Sequence, residues 1–210
     1  MSLFGKFFKK NTPPRVLQPF PANEGAAQIR EWFKTTKPWD MVSSTIIDAL
    51  IEQFSSHNLL FEVFVWRSME NNLIDEYIIL SKDHDLNHPA VSMPAISAVM
   101  ARLGSASADA LSKIMTAKRP NEAELGKHYS LARDSLEVAI VLDSNHITAY
   151  LALAQVLAMF GKEPEAINQA TRGLAKINDI NLQNLPLPRT MREGTDQLEL
   201  RLTELLKRLQ

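Results

Sequence analysis

No cysteine occurs among the 210 residues, which excludes a disulfide framework, a thiolate metal site and a cysteine nucleophile. That absence suits a reducing compartment. Glycine is scarce as well: seven residues are few for a β-rich protein built on tight turns. An excess of one charge is also missing, since 23 basic against 24 acidic residues leave a net charge of −1. A dedicated nucleic-acid binder carries a strong basic excess or stripe, so no nucleic-acid partner is expected. Long apolar runs are absent too. The longest, LLFEVFVW and AYLALAQVLAMF, fall well short of the roughly 20 residues that cross a bilayer. MSLFGKFFKK at the N-terminus has the lysines of a signal peptide's start, without its apolar stretch or cleavage site. A cytoplasmic location is the expectation.

Reactive signatures are equally thin. There is no phosphate-cradling glycine loop, no G-x-S-x-G elbow and no H-E-x-x-H helix. Of the five histidines, His84 and His88 stand near Asp83 and Asp85 in KDHDLNHP. Imidazoles and a carboxylate are zinc ligands, but Pro89 and the loop-like context leave their orientation unset. Glu124 and His128 lie one helical turn apart, which more often makes a surface pair than an acid–base couple. His146 beside Asp143 reads as a capping or solvated residue at a helix entry. Nothing assembles into nucleophile, base and orienting group. The expectation is a protein that is no enzyme, with no cofactor and no metal.

What is present is helical periodicity. Residues 1–22 form a basic, proline-rich tail, with Pro13, Pro14, Pro19 and Pro21 against a continuous helix. Within it, a coiled Leu3 to Lys10 would put Leu3, Phe4, Phe7 and Phe8 on one face and Lys6, Lys9 and Lys10 off it. Such a segment either rests on an anionic membrane surface or tucks onto the domain. Residues 23–90 read as an N-terminal helical region. It opens with a helix capped at Asn23 and continues with one after Pro38 bearing Met41, Ile46, Ile47, Leu50, Ile51 and Phe54. Residues 58–81 suit either two strands joined at ENN or two short helices capped at Asn58 and Asn72. Helical neighbours favour the latter. VSMPAISAVMARL and SADALSKIMTAK then read as two helices, followed by a long one opened by Asn121 and Glu124 in capping-box spacing.

Ala149 to Leu174, AYLALAQVLAMFGKEPEAINQATRGL, is the most informative stretch. Tyr150, Leu153, Ala154 and Leu157 place aromatic, large and small residues on one helix; Ala166, Ala170 and Gly173 make a small-residue face on the next. Gly161 suits a helix end needing positive φ, and Pro164 a helix start. A step of 34 residues toward the N-terminus takes the second face onto Ala132, Leu136 and Ala139, but takes the first onto Thr116, Arg119 and Ala123, which lack the pattern. The stretch resembles a tetratricopeptide (TPR) repeat, whose period is 34 residues. One good repeat runs from Ile147 to Asn178, with half a degenerate one before it. Tyr150, Ala170 and Asn178 replace the family's usual Trp, Phe and Pro.

The resemblance implies an all-α, right-handed stack of helical hairpins, TPR-like and degenerate, with repeats over residues 91–178. Residues 179–194 then read as a linker and 195–210 as a C-terminal capping helix. In the family, partners lie along a concave surface lined by the first helix of each repeat. That implies a groove lined by Thr148, Leu151, Gln155, Ala158 and Met159, the alternative being that neighbouring helices cover this face. Leu151 and Gln155 stand where carboxylate-clamping members carry Lys, Arg or Asn, so an apolar peptide or helix is the expected ligand. The expected function is a protein-interaction adaptor or scaffold. The alternative is a membrane-surface accessory factor recruited through Leu3 to Lys10. Leu198, Leu202, Leu205 and Leu209 form a seam at spacings four, three, four, which suits capping of the stack or a homodimer through the C-terminal helix.

Overall fold

The computed structural model describes residues 19–39, 44–71, 73–74, 93–117, 121–183 and 194–210. These residues are helical with no strand among them: α1 (Ala26–Thr36), α2 (Ser44–Gln53), α3 (Asn58–Glu70), α4 (Met93–Met115), α5 (Glu122–Leu142), α6 (Ile147–Met159), α7 (Glu163–Gln183) and α8 (Thr195–Leu209). Helical hairpins stack in chain order. α4 pairs most extensively with α5 and α6 with α7, while α5 joins α6, α3 lies on α5, and α8 closes on α6 and α7. Residues 58–70 are thus helix, not strand. No described helix is long and apolar enough to cross a membrane.

Local signals explain most boundaries. The Asn121 side chain accepts hydrogen bonds from the backbone N–H of Ala123 and Glu124, at 3.1 and 3.3 Å, satisfying two orphan donors of α5. Gly161 turns the chain at φ 67°, which a side chain tolerates poorly. Pro164 is the second residue of α7, where its missing N–H leaves no bond unmade.

Other boundaries depart from expectation. α1 begins at Ala26 with Gly25 at its N-cap, because Pro21 to Glu24 is already a turn closed by Glu24 N–H on the Pro21 carbonyl. α3 starts at Asn58 with His57 as its cap residue. α4 is one helix of 23 residues, not two: Gly104 makes a close crossing there, not a break. A Cβ on Gly104 would meet Leu136 Cγ at 2.6 Å and the Ala132 carbonyl oxygen at 3.1 Å. A step of 34 fails on the first helix of the pair because it carries α6 onto the end of α4 and the start of α5. α7 runs five residues beyond Asn178, to Gln183, because Ile177 and Ile180 stay buried with α8.

Two apolar clusters meet at α6. One extends from Phe20 through α1 to α6. Its N-terminal part is aromatic: Phe20 meets Trp32, Phe33 and Phe61 edge-on, and Phe54 stacks on Phe61 at 4.8 Å. Phe20 and Ala22 are therefore core, not tail, each 5% exposed. The other cluster joins Ile147, Leu151 and Ala154 of α6 to Ala170, Ile177 and Ile180 of α7 and to Leu198, Leu202 and Leu205 of α8. An apolar helix with no polar stripe belongs in such an interior. The alanines and leucines of 149–174 are packing.

Polar ties reinforce the stack. Arg30 pairs with Asp48 between α1 and α2, and the Gln53 amide donates to the Val141 carbonyl. Asp134 on α5, 8% exposed, accepts from Arg67 on α3 at 3.1 Å and from Arg133 at 2.8 Å. The Ser97 hydroxyl donates to the Ala139 carbonyl at 2.7 Å, buried between α4 and α5.

Candidate functional site

The face expected to bind a partner is divided by α8. Positions 147, 151 and 154 share one side of α6, and Leu198, Leu202 and Leu205 of α8 belong to the same cluster. Leu151, an expected groove residue, is only 2% exposed; it is core. The correction has a simple cause: the leucine seam of α8 is used within the chain, covering the apolar half of that face. Leu198 and Leu202 are fully buried, so the seam is not a free surface for a second copy. Thr148 stands at the start of α6, where its hydroxyl contacts Nδ1 of His146 at 3.0 Å. It lies two turns before Gln155 on the same helix.

One turn beyond Leu151 on α6 the face opens. Gln155, Ala158 and Met159 are part-exposed and form one side of a cleft of about 380 Å³. Ala108, Asp109 and Ser112 of α4 and Leu205 and Arg208 of α8 complete it. Three of the five expected residues are thus brought together. Sequence reasoning missed the other two walls. The signal was there in part: Ala108 and Ser112 are small residues a helical turn apart, in a helix whose Leu111 is fully buried. The contribution of α8 was not legible, because its approach depends on the path of the chain from α7.

The cleft offers an apolar floor (Ala158, Met159, Leu205), an amide (Gln155), a hydroxyl (Ser112) and two opposed charges (Asp109, Arg208). Such a lining suits burial of an apolar group with a few directed polar contacts. Ser112 has no imidazole or second carboxylate in this lining to activate it.

The remaining candidates lie elsewhere. His146 is buried, not solvated, at 4% exposure. Burial lowers its imidazole pKa, against the opposing pull of Asp143. Tyr150 is 1% exposed; burial raises its phenol pKa, with the Arg172 guanidinium opposing from 5.4 Å off the ring. Glu124 is exposed and forms no ion pair with His128, whose Nδ1 is buried without a hydrogen-bond partner. Among the described residues no three His, Asp or Glu side chains converge as a metal site. Leu3, Phe4, Lys6, Phe7, Phe8, Lys9 and Lys10, the cluster at His84 and His88, and Met41 and Asn72 lie outside the described residues. Comparison with protein-family models, with curated proteins and with solved structures returns no match to this chain.

Proposed function

We propose that the chain is a TPR-like interaction adaptor that holds a short apolar segment of another protein in the cleft between α4, α6 and α8. One observation carries the reading. Gln155, Ala158 and Met159 are part-exposed at the end of α6, a helix whose other residues are buried apart from Thr148 and Ala152, and they are walled on both sides by other helices. α4 and α6 are the first helices of successive hairpins, which is the surface the TPR resemblance nominates. A cleft of this size takes one or two apolar side chains of a helical or extended peptide. Gln155 is placed to hydrogen-bond the peptide backbone.

Selection of a displayed random-peptide library tests it, with positive selection on the intact chain and counter-selection on Ala158→Arg. Ala158 is part-exposed, so the arginine fills the cleft while leaving the core intact, as circular dichroism verifies. The reading predicts enriched peptides that bind the wild type and lose at least tenfold in affinity on the variant, about 1.4 kcal/mol. Enrichment of peptides that bind both proteins equally, or none at all, overturns it.

A further inference from the structure

The two charges in the cleft carry a further reading of what occupies it, resting on the proposal above. Asp109 on the α4 wall is exposed and makes no ion pair among the described residues, although Lys113 follows one turn later. Arg208 on the α8 wall is likewise exposed and unpaired, although Glu204 precedes it by one turn. Nor do they pair with each other, though both line the same cleft. A carboxylate and a guanidinium therefore stand on opposite walls of an apolar floor, each with its hydrogen-bonding capacity unused by the described residues.

The helix ends add a second field. The lining residues come from the last two turns of α4, the last turns of α6 and the last turns of α8. Although Thr116, Ala117, Gly161 and Lys162 already donate to carbonyls in the last turns of α4 and α6, three helix C-termini flank the cleft, each the negative end of its helix dipole. They reinforce Asp109 and oppose an added acid.

We infer that the cleft selects a dipolar segment of a partner protein: an apolar side chain on Met159 and Leu205, flanked by a basic residue toward Asp109 and an acidic residue toward Arg208. Basic character on the α4 side contributes more than acidic character on the α8 side, because the helix ends favour a cation. Charge complementarity of this kind sets register and rejects wrong sequences more than it adds affinity.

Fluorescence anisotropy of the intact chain tests this with four end-blocked peptides sharing a Leu-Met-Leu core. Their flanking pairs are Lys and Glu, Glu and Lys, Lys and Lys, and Glu and Glu. At low salt one mixed-charge order binds tightest, the double-lysine peptide follows, and the double-glutamate peptide is weakest. The full spread is roughly tenfold and shrinks as salt is added. Arg208→Glu shifts the preference to the double-lysine peptide, and Asp109→Lys shifts it to the double-glutamate one. Both residues are exposed, so neither variant threatens the fold. If all four peptides bind alike and neither reversal changes the order, while Ala158→Arg still blocks binding, the dipolar inference falls and the cleft remains a binding site. If no peptide binds better to the wild type than to Ala158→Arg, both readings fall together.

Discussion

Replacing glycine by alanine inside a helix stabilises it by about 1 kcal/mol when nothing opposes the new methyl group. Two glycines here set that gain against opposite surroundings. At Gly126, exposed on α5, an added Cβ meets nothing within 4 Å, so Gly126→Ala realises the full gain. At Gly104 the same atom falls 2.6 Å from Leu136 Cγ, 3.0 Å from its Cδ2 and 3.1 Å from the Ala132 carbonyl oxygen. Neither neighbour yields readily, because Leu136 is fully buried and the carbonyl is backbone. The helices must part, and an overlap this deep falls in the upper part of the overpacking range, about 2–3 kcal/mol. The overlap therefore outweighs the propensity gain, leaving Gly104→Ala destabilised by about 1–2 kcal/mol. For a chain of this length that lowers Tm by about 2–8 °C, while Gly126→Ala raises it by about 2–4 °C. Thermal melts followed by circular dichroism at 222 nm read both. The consequence extends to the cleft, since Ala108 and Asp109 lie one turn beyond Gly104 on α4. If Gly104→Ala melts at or above the wild type, the close crossing of α4 on α5 is wrong and the α4 wall of the cleft is misplaced.

Other perturbations follow from buried charge and titration. Asp134→Ala removes the acceptor shared by Arg67 and Arg133 and loosens α3 from α5; a loss of about 2 kcal/mol in urea unfolding is expected, and an unchanged midpoint contradicts the tie. His146 has an imidazole pKa lowered from 6.5 by burial, so the unfolded chain takes up that proton first as pH falls. Its contribution to stability is fully present above about pH 6.5 and is lost as pH drops through the folded value. His146→Gln flattens that part of the pH–Tm curve relative to the wild type, and an identical slope rules the assignment out. The Glu137 carboxyl is raised above 4.5 by burial, with Asp134 adding to the rise and Arg133 and Lys162 opposing it. The native state accordingly loses stability as pH climbs above about 4.5. Glu137→Gln raises Tm at neutral pH, and the gain disappears in acid; a gain that persists in acid implicates packing instead.

Local and sequential signals were legible in the chain. Asn121, Gly161 and Pro164 act at helix ends through their own side chain, φ freedom or missing N–H, so residue identity suffices. The buried character of α6 followed from its apolar sequence, which holds no charged residue. What escaped depends on residues far apart in sequence. Gly104 and the serines of 105–107 look like a break until Leu136 is set against them. Phe20 looks like part of a proline-rich tail until Trp32, Phe33 and Phe61 enclose it. Leu151 looks like a groove residue by its place on the helix, but the leucines of α8, about 50 positions later, decide its burial. The exposure of Gln155, Ala158 and Met159 was therefore legible, since α8 walls them only with Leu205 and Arg208, whereas the burial of Leu151 under the α8 leucines was not.

A chain with no cysteine makes each introduced thiol unique, so the openness of the cleft can be measured directly. Ala158→Cys and Leu151→Cys, treated with a maleimide under native conditions, give labelling rates to compare with the same variants in denaturant. Ala158→Cys should react within about tenfold of its unfolded rate, while Leu151→Cys stays protected by α8 until the protein opens. A modified Ala158→Cys should then no longer bind the selected peptides. Protection of Ala158→Cys equal to that of Leu151→Cys would mean that the face is covered along its whole length, and the cleft could not be where this protein meets its partner.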